Sequence, residues 1–177
     1  MIVAFTGHRP QRTGGFGRKA YLRLFDVAFT YLRDLRDSLP FPQQRNLVTM
    51  SGMAQGWDHA GASASHELGI PFIAAVPFEG QERLWPGAAQ RAYRSLLNKA
   101  HNVHVVHPGS TEEWPPEAFV FAFQERNEFM VDRSDLICAL WDGKSSGGTA
   151  NCVAYALGAE KPVVNLWPRW LDLGGAE

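Results

Sequence analysis

Cysteine is scarce in this chain, with only Cys138 and Cys152 present among 177 residues. Both lie in or beside expected regular structure, so reduced thiols are expected and a disulfide framework is not. An excess of charge of one sign is also missing, since 17 Lys and Arg stand against 18 Asp and Glu. That balance gives no general attraction to a phosphate backbone, so nucleic acid is not an expected partner, although a local basic patch stays open. No apolar run approaches the ~20 residues of a membrane span, and the opening MIVAFTGHRP meets a glycine and a basic pair too soon for a secretory leader. A cytoplasmic protein with no membrane partner is the expectation. Gly-x-Ser-x-Gly and Cys-x-x-Cys are absent, which removes the nucleophile-elbow and dithiol readings.

The histidines do not gather either. His59 and His66 share a helix face but stand seven residues apart, roughly 10 Å at 1.5 Å per residue, too far for one metal. His101, His104 and His107 border or alternate along a strand. No metal and no cofactor are expected.

What is present is an alternation. Apolar runs fall at 2–6, 46–50, 71–77, 102–107, 135–141 and 162–167, and most read as strands buried on both faces. Between them, segments such as KAYLRLFDVAFTYLRDL and EAFVFAFQERNEFMVDR carry apolar residues near helical spacing. With 45% hydrophobic residues the chain suffices for one packed domain, 1–177. Alternating strand and helix predicts an α/β domain of three layers, its mostly parallel sheet covered on both faces. The tail PRWLDLGGAE either packs on a neighbour or closes the sheet.

Ligands of such sheets sit beyond the carboxyl ends of the strands, so the post-strand turns are the places to read. After the first run come Thr6, Gly7, His8 and Arg9, a glycine turn with a guanidinium that can fork onto phosphate. After the second come Ser51, Gly52, Met53 and Gly56, entering a helix whose first turn holds Asp58 as a dipole-stabilising acid or a ribose contact. Phe78 begins the loop after the third. Trp141 and Asp142 begin the loop after the fifth, which continues to Gly147, Gly148 and Thr149, with Asn151 and Cys152 in the following helix turn. Three glycine turns at one sheet edge point jointly to a phosphate-bearing, nucleotide-like ligand. Arg126, on the helix before the fifth strand, faces either the pocket or a neighbouring acid, and Asn127 beside it is a candidate ligand contact. Trp57, Trp85 and Trp141 either stack on a base or fill the core.

These loops, in this order, resemble the SLOG superfamily of Rossmann-like proteins, which includes DprA and the LOG phosphoribohydrolases, and within it the YpsA-like branch. The likeness rests on TGHRP at 6–10, SGMAQGWDHAG at 51–61, PFEGQERLW, RNEFMVDRSD at 126–135 and WDGKSSGGTANCVAYA at 141–156. It implies a Rossmann-like fold and a pocket for a nucleotide-derived molecule. LOG enzymes carry Pro-Gly-Gly-x-Gly-Thr-x-x-Glu with an upstream Arg-Lys pair. Here Arg126 matches the Arg, Asn127 replaces the Lys, and Cys152 stands at the Glu position after Asn151.

N-glycosidic cleavage needs a carboxylate, and Asn151 supplies none. The expectation is therefore a protein that senses or sequesters a nucleotide or ADP-ribose-like signal. Glycine turns would hold phosphate, Arg9 and Arg126 would neutralise it, and Asp58 and Asn151 would contact sugar hydroxyls. One alternative is a nucleotide N-glycosidase with Arg126 and an acid from Asp58, Glu79, Glu82 or Asp142. Another is an interaction module working through its tryptophan-rich loops and tail. Homo-oligomerisation through the apolar EAFVFAF segment is a further option.

Overall fold

The computed structural model describes residues 1–175. Six strands alternate with six α-helices: β1 Ile2–Gly7, α1 Arg18–Ser38, β2 Val48–Ser51, α2 Trp57–Glu67, β3 Phe72–Phe78, α3 Gly87–Leu97, β4 Asn102–His107, α4 Pro116–Asp132, β5 Leu136–Leu140, α5 Gly148–Gly158, β6 Val163–Asn165 and α6 Trp167–Asp172. The sheet order is β4-β3-β2-β1-β5-β6, and every pairing is parallel. The expected mostly parallel sheet is thus wholly parallel.

Strand alternation builds the layers. Val3 and Phe5 of β1, with Leu136, Cys138 and Leu140 of β5, face the core shared with α1, α2 and α6. Ala4 and Ile137 point the other way, toward Met130 and Val131 of α4 and Cys152 and Ala156 of α5. Successive side chains on opposite faces, both covered, explain why these central strands read as continuous apolar runs. The edge strands differ from that expectation, since β4 has three exposed residues and β6 none that is buried. Each has a neighbour on one side only.

Helix positions follow from small and periodic residues. Ala20, Leu24, Val27, Ala28 and Leu32 form one buried stripe of α1. Gly61 lets α2 press onto β1, because a Cβ there would collide with the Phe5 ring. Pro116 opens α4, where a missing N–H costs nothing. Residue 167, expected to end a strand, instead starts α6, and Trp170 buries its ring in the α1 and α2 core. The described part of the tail therefore packs on its own chain.

Candidate functional site

After β1 the chain builds outward to β4, and α4 then carries it back to β5 on the other side of β1. The turns after β1 and β5 diverge at that reversal, which is where an open parallel sheet leaves a crevice. A cleft of about 380 Å³ lies there. Thr6, Gly7, His8, Arg9, Gln11 and Arg12 line it from the β1 side, and Ser146, Gly147, Gly148 and Thr149 from the entry to α5. Ala54 and Asp58 come from the entry to α2, and Phe123, Arg126 and Asn127 from α4.

Close backbone packing fixes the first two turns. A Cβ on Gly7 would lie 2.7 Å from Trp57 Cβ. Gly56 has φ +96°, and a Cβ there would stand 2.8 Å from the His8 carbonyl oxygen. The turn after β1 and the start of α2 can touch only because both positions lack a side chain. Trp57 is fully buried and donates its Nε1–H to the Cys138 carbonyl at 3.2 Å, so it fills the core. Trp85 packs on His59 and Tyr93, and Trp141 donates to the Lys144 carbonyl at 2.8 Å. None of the three lines the cleft.

A chain of polar contacts crosses the floor. Arg126 is 6% exposed. Its Nη1 donates to the Gly52 carbonyl and stands 3.8 Å from Asp58 Oδ2. Its Nε donates to Asn127 Oδ1 at 3.2 Å, and Asn127 Nδ2 reaches the Gly148 carbonyl at 3.4 Å. Asp58 Oδ2 also accepts the Ala54 N–H at 3.3 Å. Burial raises the Asp58 carboxyl to about 6, against the opposing pull of Arg126 and that N–H. The same burial lowers the Arg126 guanidinium, with Asp58 opposing. Arg126 thus faces the cleft and also pairs an acid, so both sequence readings apply.

Ser51, Gly52 and Met53 shape the floor from below. The Ser51 hydroxyl accepts the Met53 N–H at 3.1 Å and donates to the Asp58 carbonyl at 2.8 Å. A side chain on Gly52 would collide with the Arg126 guanidinium. Phe78 is buried against Trp114, Phe119 and Phe123. With Gly56, Trp141, Asp142 and Asn151, these residues lie outside the cleft lining.

The entry to α5 is open. Gly147 has φ +101°, nothing stands within 4 Å of a Cβ built at Gly147 or Gly148, and no side chain caps the helix. Its first N–H groups therefore face the cleft unobstructed. Asn151 is exposed. Cys152 is buried, and burial pushes its thiol up to about 11, so it is not a thiolate.

Of the other acids, Glu79 is exposed and Glu82 pairs with Arg94 at 3.1 Å. Asp142 fastens the two turns together. Its Oδ1 lies 3.0 Å from His8 Nε2, and Arg12 and Lys144 stand 3.6 and 3.3 Å from Oδ2. Burial pushes this carboxyl up, but the Lys144 N–H and His8 outweigh it and hold it near 2. His8 is itself lowered by burial, against the opposing pull of Asp142. Asp58 is the only one of the four candidate acids that borders the cleft.

Phe123, Gln11, Arg12 and Ser146 line the cleft without having been singled out. Phe123 stands three residues before Arg126, a spacing that puts both on one helix face. Its ring lies 5.6 Å from the Arg9 guanidinium carbon and 5.9 Å from that of Arg126.

Among the described residues, no helix is long and apolar enough to cross a membrane, and no cluster of His, Cys, Asp and Glu could hold a metal. Comparison with known proteins agrees with the fold. The chain is 34% identical over 116 residues to the uncharacterized SPbeta prophage-derived protein YoqJ of Bacillus subtilis (strain 168), covering 60% of this chain and 67% of that one. Among solved structures it is similar to DNA processing protein A from Streptococcus pneumoniae, with TM-score 0.59 and 21% identity over 92% of this chain. It spans only 48% of that protein. DNA processing protein A from Helicobacter pylori aligns with TM-score 0.59 and 17% identity over all of this chain and 74% of its own. A single-stranded DNA binding mode is described for that protein, whereas nucleic acid was not an expected partner of this chain. The YpsA family model, described as the YspA SLOG family, matches residues 3–161, and the chain belongs to that family.

Proposed function

We propose that this protein binds a nucleotide or nucleotide-derived molecule of the ADP-ribose type, as a sensor or a sequestering protein. One observation carries the reading: the uncapped N-terminus of α5 opens into a crevice that also holds Arg9, Arg12 and Arg126. Helix N–H groups and guanidinium ions stabilise the same thing, a phosphate with its charge. In this reading Gly147, Gly148 and Thr149 take the phosphate and Arg9 neutralises it. Arg126, tied to Gly52 and Asp58, keeps the floor positive, and Asp58 accepts a sugar hydroxyl. Phe123 offers its face to a base. Ser51, Gly52, Met53, Gly56, Phe78 and Asp142 support the site from behind. Calorimetric titration with nucleoside mono- and diphosphates, ADP-ribose and cyclic derivatives tests this, and folded protein giving no heat with any of them overturns it.

The second reading is a nucleotide N-glycosidase, favoured by Asp58. A carboxyl at the cleft floor raised to about 6 can hold or release a proton near neutrality. Chromatography of the same compounds after prolonged incubation separates the two, because released base means hydrolysis, and its loss in Asp58→Asn locates the acid. An oligo-dT titration in the same series tests the partner of the Helicobacter pylori neighbour.

A further inference from the structure

A second cavity, of about 540 Å³, lies on the other side of the turn at residues 10–16 and does not share the cleft's lining. Its walls are mostly apolar, with Gln55, Ser63, Ser95 and Lys99 the polar side chains among them besides His59 and Tyr21. Pro10 and Phe16 close one side, Leu24 of α1 another, and Ala88 and Ala92 of α3 leave the space by being small. Phe16 is 62% exposed at this border, which is unusual for a ring of its size. The volume suits a small molecule.

His59 borders the same cavity. It is 7% exposed, and its Nε2 is buried with no hydrogen-bond partner among the described residues. The Met53 backbone bonds the ring and favours its charged form, but burial outweighs this and lowers the pKa to about 4, so the imidazole is neutral. A neutral ring that donates from one nitrogen to a carbonyl presents a lone pair on the other. Nε2 is therefore an acceptor that lacks a donor, on a side chain that borders this mostly apolar space.

We infer that this cavity is a second binding site, for an uncharged, largely apolar molecule carrying one hydroxyl or N–H that donates to His59 Nε2. Such a ligand would press on the turn that carries Arg9 and Arg12 into the first cleft. The inference does not depend on the nucleotide reading.

The test uses the intact chain, uniformly isotope-labelled and titrated with 4-methylphenol and with toluene, with NMR of the His59 ring reporting the contact and NMR of the backbone amides around the cavity reporting affinity in wild type and variants alike. The expected result is a saturable shift of Nε2 with 4-methylphenol. The affinity ratio of 4-methylphenol to toluene should be about fivefold higher in wild type than in His59→Leu, the worth of one net hydrogen bond. Ala92→Trp, which fills the cavity and keeps His59, should abolish the shift, and it serves if the His59 variant fails to fold. Equal ratios in wild type and variant, no saturable shift in folded protein, or a shift that survives Ala92→Trp would each overturn the inference.

Discussion

Arg126 Nη1 and Asp58 Oδ2 stand 3.8 Å apart beneath the cleft, and both residues are almost fully buried. Each compensates the other's lost hydration, so neither charge is stable there alone. Arg126→Met should destabilise the fold by about 3–5 kcal/mol, the usual cost of orphaning one buried partner. The double variant Arg126→Met with Asp58→Leu should lose less than the sum of the singles. Urea unfolding of the four proteins measures that coupling, and additive losses would show that the pair does not interact.

Gly147 and Gly148 are expected to separate structure from binding. At Gly147 the positive φ makes alanine strained, so Gly147→Ala should cost about 1 kcal/mol of stability. Gly148 has no such φ and open space beyond a Cβ. Gly148→Ala should leave thermal stability within about 0.5 kcal/mol of wild type, and on the proposed reading it should weaken nucleotide binding, because its methyl would stand where the phosphate is proposed to approach the helix.

His59 should make the protein acid-sensitive. Its pKa falls from 6.5 unfolded to about 4 folded, so between those values the unfolded chain binds the extra proton. Stability is then full above pH 6.5 and declines as pH drops toward 4, by on the order of 3 kcal/mol. Asp58 acts with the opposite sign between 3.8 and about 6, because there the folded state holds the extra proton. Comparing urea midpoints of wild type and His59→Leu across pH 4–7 isolates the histidine part, and parallel curves would refute it.

On the proposed reading, binding of ADP-ribose should strengthen as pH falls from 7 to 5. Its diphosphate keeps its charge over that range, whereas Asp58, raised to about 6, takes up a proton and stops repelling the anion. The gain should be about tenfold at most, the size of one charge interaction across several Å of partly solvated protein. Asp58→Asn should bind with no pH dependence in this window, as calorimetry at several pH values would show.

Cys152 should be inert. With its thiol raised to about 11 and its side chain buried, iodoacetamide at pH 8 should label it only after unfolding. Mass spectrometry of native and urea-treated protein distinguishes this from a nucleophilic thiol, which would react in the native state.

Much of the cleft lining was legible because its signals are local. Gly7, Arg9, Asp58 and Gly147 through Thr149 follow strands directly, and post-strand turns of a parallel sheet converge on one edge whatever lies between. Asn151 and Asp142 were harder. Asn151 lies two residues past Thr149, outside the cleft lining, and is exposed, while Asp142 is committed to His8 and Lys144. Side-chain direction at such positions depends on helix rotation and loop closure. Phe123 shared a helix face with Arg126, but which face met the sheet was invisible without its partners.

The order of strands and helices, the parallel sheet and the glycine turns were determined by the sequence alone, since periodicity and backbone freedom are properties of short segments. Which strands became exposed edges, that α6 folds back onto α1, that Arg126 lies beneath a cleft paired with Asp58, and that His59 is left with an unpaired acceptor were decided only in the tertiary structure. These outcomes depend on contacts between residues far apart in the chain, where burial and mutual distance fix whether a polar group meets water, a partner or neither.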